Sequence, residues 1–508
     1  MKVNKEIAMN MPFKFKKSIK KLKIAALVIT ATLSFSASAD SDTASAVSLQ
    51  TCYADGLPDR AKCGVITQPL NNNSPEQTID IHFMVIPAIK PLYPDEAVMA
   101  FAGGPGQSAI ESAAGFSRIL KYARENRDII LVDQRGTGKS NLLQCELDDL
   151  ATQFVMNDMA LGFDLAKQDA IECRDKLNSD LSNYTTVAAA PDFEAVRAAL
   201  GYKQLHLYGG SYGTRIALEY MRQFPQRVAS SVLDGLAPSN QSLLAIGGAI
   251  EDSLAALFEQ CQADAVCAQT YPNLEQTWSQ LLQNLEQQPL EMTVRHPRSH
   301  QPIAITLTSN KLYSTVRMAL YSHSTRAMVP LAITQVAKGN VDLIAAMMAQ
   351  GEDIMGIALG MHQAILCGED WAVLNDSQRA QYGKTFIGAM MIAGADATCP
   401  IWDVTPVTAD YYQAVSSDIP TLLLSGGLDP ATPARWAETA MVELSNATHL
   451  VAPFATHIVA GQSCGDKLVA SFYDNKNTAD FDTSCLQEDR RKQFFMNING
   501  PASSQDKE

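Results

Sequence analysis

The chain has 508 residues, a formal net charge of −14, 46% hydrophobic and 19% charged residues, and ten cysteines. This hydrophobic content excludes a disordered or fibrous chain, and the length is ample for a buried core. The acidic balance argues against a nucleic-acid partner, because binding to phosphates requires a surplus of lysine and arginine.

The N-terminal segment predicts an export signal. Residues 1–39 contain eight lysines and one glutamate, then the apolar run 24–35 (IAALVITATLSF), then Ala-Ser-Ala at 37–39. This order of charged, apolar and small residues is typical of a secretory signal. The apolar run is shorter than the roughly twenty residues that span a bilayer. We therefore expect cleavage after Ala39 and an exported protein, periplasmic or secreted, without a stable membrane anchor.

Export makes disulfide bonds the expected state of the cysteines. Zinc binding is the competing interpretation, but the chain has no C-x-x-C spacing, and its eight histidines do not cluster with the cysteines. We therefore predict no metal site. The sequence alone does not choose among the possible pairings. Our hypothesis is pairing in chain order, as Cys52–Cys63, Cys145–Cys173, Cys261–Cys267, Cys367–Cys399 and Cys464–Cys485.

Strand and helix patterns alternate at both ends of the chain. Short apolar runs at 79–87, 97–102, 128–132, 204–208 and 228–233 are typical of buried strands, and the pattern returns at 421–424 and 449–452. Residues 237–418 are rich in Leu, Ala, Met and Gln with helical spacing. We interpret them as an insertion that interrupts one sheet, and we expect residues 486–508 to form a polar, mobile tail.

The segment 209–213 (GGSYG) matches the G-x-S-x-G pattern of a nucleophile elbow. It follows a predicted strand and precedes a predicted helix, which is the context that the motif requires. Gly209 and Gly213 permit the tight turn that raises the Oγ of Ser211, and the helix N-terminus points at this serine. A plain tight turn is the alternative, but the context favours Ser211 as a nucleophile.

A serine nucleophile needs a base and an acid that orients the base, in the chain order serine, acid, histidine. The candidate acid is Asp429, which follows a late strand; a turn aspartate before proline is the other interpretation. The candidate base is His457, on the loop after the last strand. His449 is the rival, but it lies at the start of that strand, far from the site. His206 lies inside a strand, and we predict that it packs in the core.

The glycine-rich segment 103–106 (GGPG) follows the predicted strand at 97–102. Its backbone N–H groups, together with the N–H of Tyr212, are placed to face a developing oxyanion. The segment 133–140 (DQRGTGKS) is not a phosphate loop, because Asp133 stands where that motif needs glycine. We predict that Asp133 and Arg135 are structural.

Six strings together resemble the α/β-hydrolase serine peptidases of the proline iminopeptidase and tripeptidyl aminopeptidase type. They are FAGGPGQSA, VDQRGTGKS, GGSYGTRIALEYMRQFP, VLDGLAP, ILCGEDW and LLLSGGLDPATP, within a resemblance that runs from about residue 52 to 485. The resemblance implies an α/β-hydrolase core, a mostly parallel sheet flanked by helices, built from residues 40–236 and 419–485. Residues 237–418 would form an inserted helical cap.

The resemblance also implies roles for individual residues. Ser211, Asp429 and His457 would form the catalytic triad, and the N–H groups of Gly104 and Tyr212 would form the oxyanion hole. Two positions depart from the family's pattern. Ala102 stands where the family usually has histidine before GGPG, and Ile458 stands where glycine often follows the catalytic histidine.

Enzymes of this family release residues from the N-terminus of peptides and hold the free α-amino group in a carboxylate pocket of the cap. A buried ammonium must be paired. The candidates here are Glu369 and Asp370 in ILCGEDW; two solvated acids at a helix end are the alternative. The implied partner is a peptide with a free N-terminus, from which prolyl, dipeptidyl or tripeptidyl units are released without a cofactor.

Two other classes of function remain open. An exported esterase or lactonase would use the same triad, since the fold does not choose the acyl substrate. A non-catalytic binding protein that kept the fold is the other class, and the presence of Ser211, Asp429 and His457 argues against it. The sequence gives no indication of the oligomeric state.

Overall fold

A computed structural model describes residues 47–71, 74–145, 163–295 and 300–501. The predicted signal segment 1–39 lies outside the described residues. The strands of the described part are β1 Gln50–Cys52, β2 Ala61–Asn71, β3 Ser74–Ile86, β4 Glu96–Phe101, β5 Asp128–Val132, β6 Gln204–Gly210, β7 Val228–Asp234, β8 Leu290–Arg295, β9 Pro302–Leu307, β10 Thr421–Gly426 and β11 Ala447–Ala452.

Nine of these strands form one sheet in the order β1-β2-β3-β5-β4-β6-β7-β10-β11. The six strands from β5 to β11 in this order are parallel, and β1, β2 and β3 add antiparallel pairs at one edge. The central parallel strands are apolar and buried on both faces because helices cover both sides. The mostly parallel sheet expected from the sequence is confirmed.

The described helices are α1 Ala113–Ile119, α2 Phe163–Leu177, α3 Thr186–Leu200, α4 Tyr212–Gln223, α5 Ile246–Ala263, α6 Ala265–Thr270, α7 Leu274–Gln287, α8 Ser309–Ala319, α9 His323–Arg326, α10 Val329–Ala337, α11 Asp342–Met355, α12 Leu359–Ile365, α13 Asp376–Tyr382, α14 Phe386–Trp402, α15 Ala434–Ala440, α16 Gly465–Asn475 and α17 Ser484–Gln487. A π-helical turn, Leu366–Asp370, continues α12. None of the helices within the described residues is both long and apolar enough to cross a bilayer.

Helices α5 to α14 lie in the chain between β7 and β10, two strands that are neighbours in the sheet, and we refer to the segment between these strands as the cap. The cap has an apolar cluster of its own, which includes Leu257, Trp278 and Tyr313. It also contains the hairpin β8–β9, which the sequence analysis did not predict. Each hairpin strand buries few side chains, chiefly Val294 and Ile305 against α11, so its apolar pattern is weak.

Five disulfides join the ten cysteines in the same pairs that the chain-order hypothesis proposed. The Cα atoms of the paired residues lie between 5.1 and 6.1 Å apart. Pairs at such distances need no movement of the backbone to form a bridge. Two of the bridges lie in the cap, and the others close loops of the core.

The segment after Cys485 differs from the predicted mobile tail. Phe494 is buried against the cap cluster, and the N–H of Phe495 donates to the carbonyl oxygen of Ala327 at 3.0 Å. The hydroxyl of Tyr271 donates to the carbonyl oxygen of Phe495. The apolar triplet at 494–496 (FFM) explains the difference, because packing removes these side chains from water. Residues 502–508 lie outside the described part of the chain.

Candidate active site

Ser211 occupies the sharp turn between β6 and α4, with φ 57° and ψ −126°. This backbone conformation is rare for a residue with a side chain and typical of strained functional turns. A Cβ at Gly209 would lie 2.6 Å from the carbonyl oxygen of Gly213, and a Cβ at Gly213 would overlap the carbonyl oxygen of Phe101. Glycine is therefore required at both positions for the elbow to form.

Asp429 and His457 are hydrogen-bonded to each other. The Nδ1 of His457 lies 2.9 Å from Oδ2 and 3.0 Å from Oδ1 of Asp429. The carboxylate also accepts from the N–H of Ala431 at 2.8 Å and from the hydroxyl of Thr432 at 2.9 Å. Since Nδ1 is held by the carboxylate, Nε2 is the ring nitrogen left for proton transfer in the cavity that His457 and Ser211 both line.

Burial and charge act in opposite directions on this pair. Burial raises the pKa of Asp429, but the charge of His457 and the hydrogen bonds to the carboxylate outweigh it and hold the pKa below its ordinary value. Burial lowers the pKa of His457, but Asp429, with a smaller contribution from Asp234, holds it above its ordinary value of 6.5. The carboxylate is therefore ionised at neutral pH, and the imidazole is a stronger base than usual.

Asp234, at the end of β7, links the nucleophile turn to the histidine loop. Its backbone carbonyl oxygen accepts from the N–H of Ser211 at 2.9 Å. Its carboxylate accepts from the N–H groups of Val459 and Ala460 at 2.8 Å each. Burial raises the pKa of Asp234 to about 6. Asp234 lies in the string VLDGLAP, but no local sequence pattern indicates its role, because its carboxylate reaches a loop 225 residues later in the chain.

Ile458, one of the two departures from the family's pattern, has φ 67°. This is a strained conformation for a β-branched residue, and it persists where the surrounding structure enforces it. The N–H groups of the next two residues, Val459 and Ala460, donate to the carboxylate of Asp234, and these hydrogen bonds supply that constraint. As a result the Ile458 side chain lines the cavity, 3.4 Å from the position of a Cβ at Gly210.

The GGPG turn lies directly beside Ser211. A Cβ at Gly103 would be 3.2 Å from the Cβ of Ser211, and Gly103, Gly104 and Pro105 all line the cavity. Tyr212 is the first residue of α4, so its N–H has no acceptor within the helix. The two predicted oxyanion donors, Gly104 and Tyr212, thus belong to segments that flank the serine.

Asp133 and Arg135 have the structural roles that the sequence predicted. Asp133 accepts from the hydroxyl of Ser108 at 2.6 Å and from the N–H of Ile110 at 3.1 Å, just after the GGPG turn. Arg135 forms two parallel hydrogen bonds of 2.8 Å to the buried carboxylate of Asp192. These contacts fix the loop after β5 and join it to the segment that follows the GGPG turn.

The other two histidines that the sequence analysis considered lie away from the site. His206 is fully buried in β6, as predicted, and contacts the hydroxyl of Ser230 at 2.7 Å and Glu96 at 3.0 Å. Burial lowers its pKa to about 4. His449 lies in β11, 2.9 Å from the hydroxyl of Ser425, and does not line the cavity.

The site opens into a cavity of about 490 Å³ between the core and the cap. The core contributes Ser211, His457 and the GGPG turn, and the cap contributes mostly apolar side chains, among them Ile246, Met318, Tyr321, Met347 and Met391. Among the described residues that line it, none is a carboxylate and Arg317 is the only lysine or arginine. Nowhere in the described part of the chain do three or more His, Cys, Asp or Glu side chains group so as to hold a metal ion.

Glu369 and Asp370 lie in a buried ion cluster and not among the residues that line the cavity. Asp370 is 3.0 Å from the Nη1 of Arg215, and Glu369 is 3.6 Å from the same atom. Glu369 also accepts from the hydroxyls of Thr186, at 2.9 Å, and Tyr411. Burial raises the pKa of Glu369 to about 7, against the opposing effect of Arg215.

This ion cluster joins the cap, which contains Glu369 and Asp370, to α4, the helix that follows Ser211 and contains Arg215. Arg215, in α4, also donates to the carbonyl oxygens of Pro238 and Gln241, where the chain leaves the core for the cap. Amine binding by Glu369 and Asp370 stays a prediction from the sequence. The geometry gives it no support, because Arg215 already pairs with both carboxylates and an incoming ammonium would have to displace it.

Replacing Asp370 with asparagine is expected to lower the free energy of unfolding by about 3 to 5 kcal/mol, because Arg215 would stay buried without its closest carboxylate. Urea unfolding with the disulfides intact measures this change. The matched control is Asp252→Asn, which removes an exposed ion pair with Arg435 and should cost at most about 1 kcal/mol. Equal losses in the two variants would contradict the anchoring role.

Comparison with known proteins places the chain in a family. Residues 96–460 match the α/β hydrolase fold family, and the chain belongs to it. The chain is 26% identical to serine protease Hip1 of Mycobacterium tuberculosis, over 82% of this chain and 85% of that protein. It is 27% identical to the tripeptidyl aminopeptidase of Streptomyces lividans over 38% of each chain. It is also 27% identical to the proline iminopeptidase of Xylella fastidiosa, over 27% of this chain and 32% of that protein.

The protein is therefore a serine hydrolase of the α/β-hydrolase family, with serine peptidases among its relatives. The family that the six sequence strings indicated is confirmed.

Proposed function

We propose that the protein is an exported serine peptidase that releases N-terminal residues from peptides through an acyl-enzyme. The observation that carries the proposal is the placement of Ser211, on a strained elbow, in one cavity with His457, whose Nδ1 is held by the ionised Asp429. The similarity to serine protease Hip1 and to two aminopeptidases supports a peptide substrate.

The proposed reaction has two half-reactions. His457 takes the proton of the Ser211 hydroxyl through Nε2 while Oγ attacks the scissile carbonyl, and the N–H groups of Gly104 and Tyr212 stabilise the oxyanion. The imidazolium, stabilised by Asp429, then gives its proton to the leaving amine. In the second half, His457 activates a water that hydrolyses the acyl-enzyme and restores Ser211.

The presence of the cap over the site supports the proposal that residues are released from the end of a peptide chain. Because residues of the core and of the cap line the cavity on different sides of the nucleophile, the cavity suits a short segment of a peptide chain better than the surface of a folded protein. Its volume of about 490 Å³ lies in the range typical of pockets for small ligands. A peptide that enters by its end meets Ser211 with few residues inside, as release of N-terminal units requires.

Export rests on two features. The N-terminal pattern of charged, apolar and small residues predicts a cleavable signal. The five disulfides are consistent with an oxidising compartment, since thiols in the cytosol are kept reduced.

One observation favours a second candidate, an esterase or lactonase that uses the same three residues. None of the described residues that line the cavity is a carboxylate. A free α-ammonium therefore meets no counter-charge among these described residues, whereas a neutral ester needs none.

A set of matched substrates separates the two candidates. Aminoacyl, dipeptidyl and tripeptidyl p-nitroanilides are compared with their N-acetylated forms and with the corresponding esters. For an aminopeptidase we expect kcat/KM to be at least about tenfold higher for the free amines, because the acetyl group removes the charge that is recognised. Acetylated anilides cleaved as fast as free ones, or esters alone cleaved, would overturn the aminopeptidase proposal and support the esterase.

A further inference from the structure

One cation in the cavity wall has no partner in the described part of the protein. Arg317, near the end of α8, lines the cavity, and its Nε is buried without an acceptor. None of its guanidinium nitrogens forms an ion pair or a hydrogen bond with a described residue. By contrast, Arg135 and Arg215, which are buried outside the cavity, each pair with an aspartate. Arg317 is only partly buried, but its Nε is shielded from water and lacks an acceptor, so an anion in the cavity would supply the missing hydrogen bond.

Among the described residues that line the cavity, none supplies an anion to Arg317. The described lining residues include no aspartate or glutamate. His362, on the same wall, lies with its Nδ1 3.1 Å from the carbonyl oxygen of Pro105 in the GGPG turn. Burial, with a smaller contribution from Arg317, holds the pKa of His362 below its ordinary value, so this ring is neutral. Arg317 is thus the single fixed charge among the described groups that face the cavity, on a wall otherwise largely apolar.

We propose that Arg317 binds a carboxylate of the substrate. The proposal rests on the peptidase function proposed for Ser211. A guanidinium presents paired N–H donors that match the two oxygens of a carboxylate, and an apolar cavity screens their attraction less than water does. In a peptide this carboxylate is either the C-terminal group of a short chain or an acidic side chain. The protein then selects anionic peptides over neutral ones of the same size.

Two pairs of peptides test the proposal and distinguish the two sources of the carboxylate. The first pair is Ala-Ala-Ala and its C-terminal amide, and the second is Ala-Glu-Ala-amide and Ala-Gln-Ala-amide. In at least one pair, we expect the native protein to cleave the carboxylate form with a kcat/KM about 10- to 100-fold higher, mainly through a lower KM.

Three variants connect this preference to Arg317. Arg317→Gln is expected to bring the ratio close to one by raising KM for the carboxylate form. Arg317→Lys should keep part of the preference, since it retains the charge but not the paired donors. The matched control is Arg295→Gln, which changes an exposed arginine of β8 outside the cavity and should leave the ratio as in the native protein.

The outcomes separate this proposal from the one on which it rests. If a fluorophosphonate labels Ser211 but neither pair shows a preference, or the preference survives in Arg317→Gln, the carboxylate site is wrong and the hydrolase assignment stands. If Ser211 is not labelled and no peptide is cleaved, the proposed function fails. Calorimetric binding of the same peptide pairs to the native protein and to Arg317→Gln then decides the carboxylate site without turnover.

Discussion

Replacing Ser211 with alanine is expected to lower kcat by at least about 10,000-fold and to leave the fold unchanged. The Oγ of Ser211 is the proposed nucleophile, and alanine keeps the short side chain that the turn with φ 57° already accommodates. The measurements are turnover of a p-nitroanilide peptide, labelling by a fluorophosphonate, and circular dichroism with the melting temperature.

The control for this substitution is Ser463→Ala. Ser463 also has a positive φ, of 52°, but it is exposed and outside the cavity. Its replacement tests whether removing a hydroxyl from a left-handed backbone position affects the protein by itself, and we expect native activity and labelling. Native turnover in Ser211→Ala would show that another group carries the reaction.

Replacing Asp429 with asparagine is expected to lower kcat by about 1,000- to 10,000-fold, because His457 loses the partner that orients its ring and stabilises its charged form. The variant also changes the dependence on pH. In the native protein the base must be neutral, so kcat/KM rises with pH through a His457 pKa above 6.5. Without the carboxylate, burial dominates, and the acid limb of the profile moves to lower pH.

Thr432→Val provides the graded comparison for Asp429→Asn. It keeps the carboxylate but removes one of its hydrogen bonds, that from the Thr432 hydroxyl at 2.9 Å. We expect a loss in kcat of at most about tenfold and only a small shift of the acid limb. Profiles of kcat/KM between pH 5 and pH 9 measure both effects. An acid limb that stays in place in Asp429→Asn would rule out the proposed coupling between the two side chains.

The backbone conformation around the site can be predicted from the sequence because it depends on residues that are close together in the chain. A strand, a tight turn and a helix can be recognised around Ser211 from neighbouring residues alone, and the glycines at 209 and 213 are required by contacts within a few residues of the turn or with the adjacent strand. Asp429 and His457 were located because both follow strands of one parallel sheet, whose carboxyl ends meet at one edge. The chain-order disulfide hypothesis likewise needed only short separations along the chain.

The partners of the charged side chains cannot be predicted from neighbouring residues in the chain. Glu369 and Asp370 are adjacent acids that the sequence places near a substrate amine, whereas the structure pairs them with Arg215, more than 150 positions earlier in the chain. Asp234 supports the histidine loop through N–H groups 225 and 226 positions later. No periodicity encodes such contacts, because they depend on how the helices and the sheet pack.

From the order of residues alone one can infer the α/β-hydrolase family, the strand, turn and helix around the nucleophile, and the positions of the candidate acid and base. Three features became visible only in the folded protein: the segment 494–496 packs on the cap, Ile458 adopts a strained conformation beside the site, and Arg317 lines the cavity with no partner for its Nε among the described residues. The physical reason is the range of the interactions. Backbone conformation follows from residues a few positions apart, whereas burial and the pairing of charges follow from surfaces that the chain brings together only when it folds.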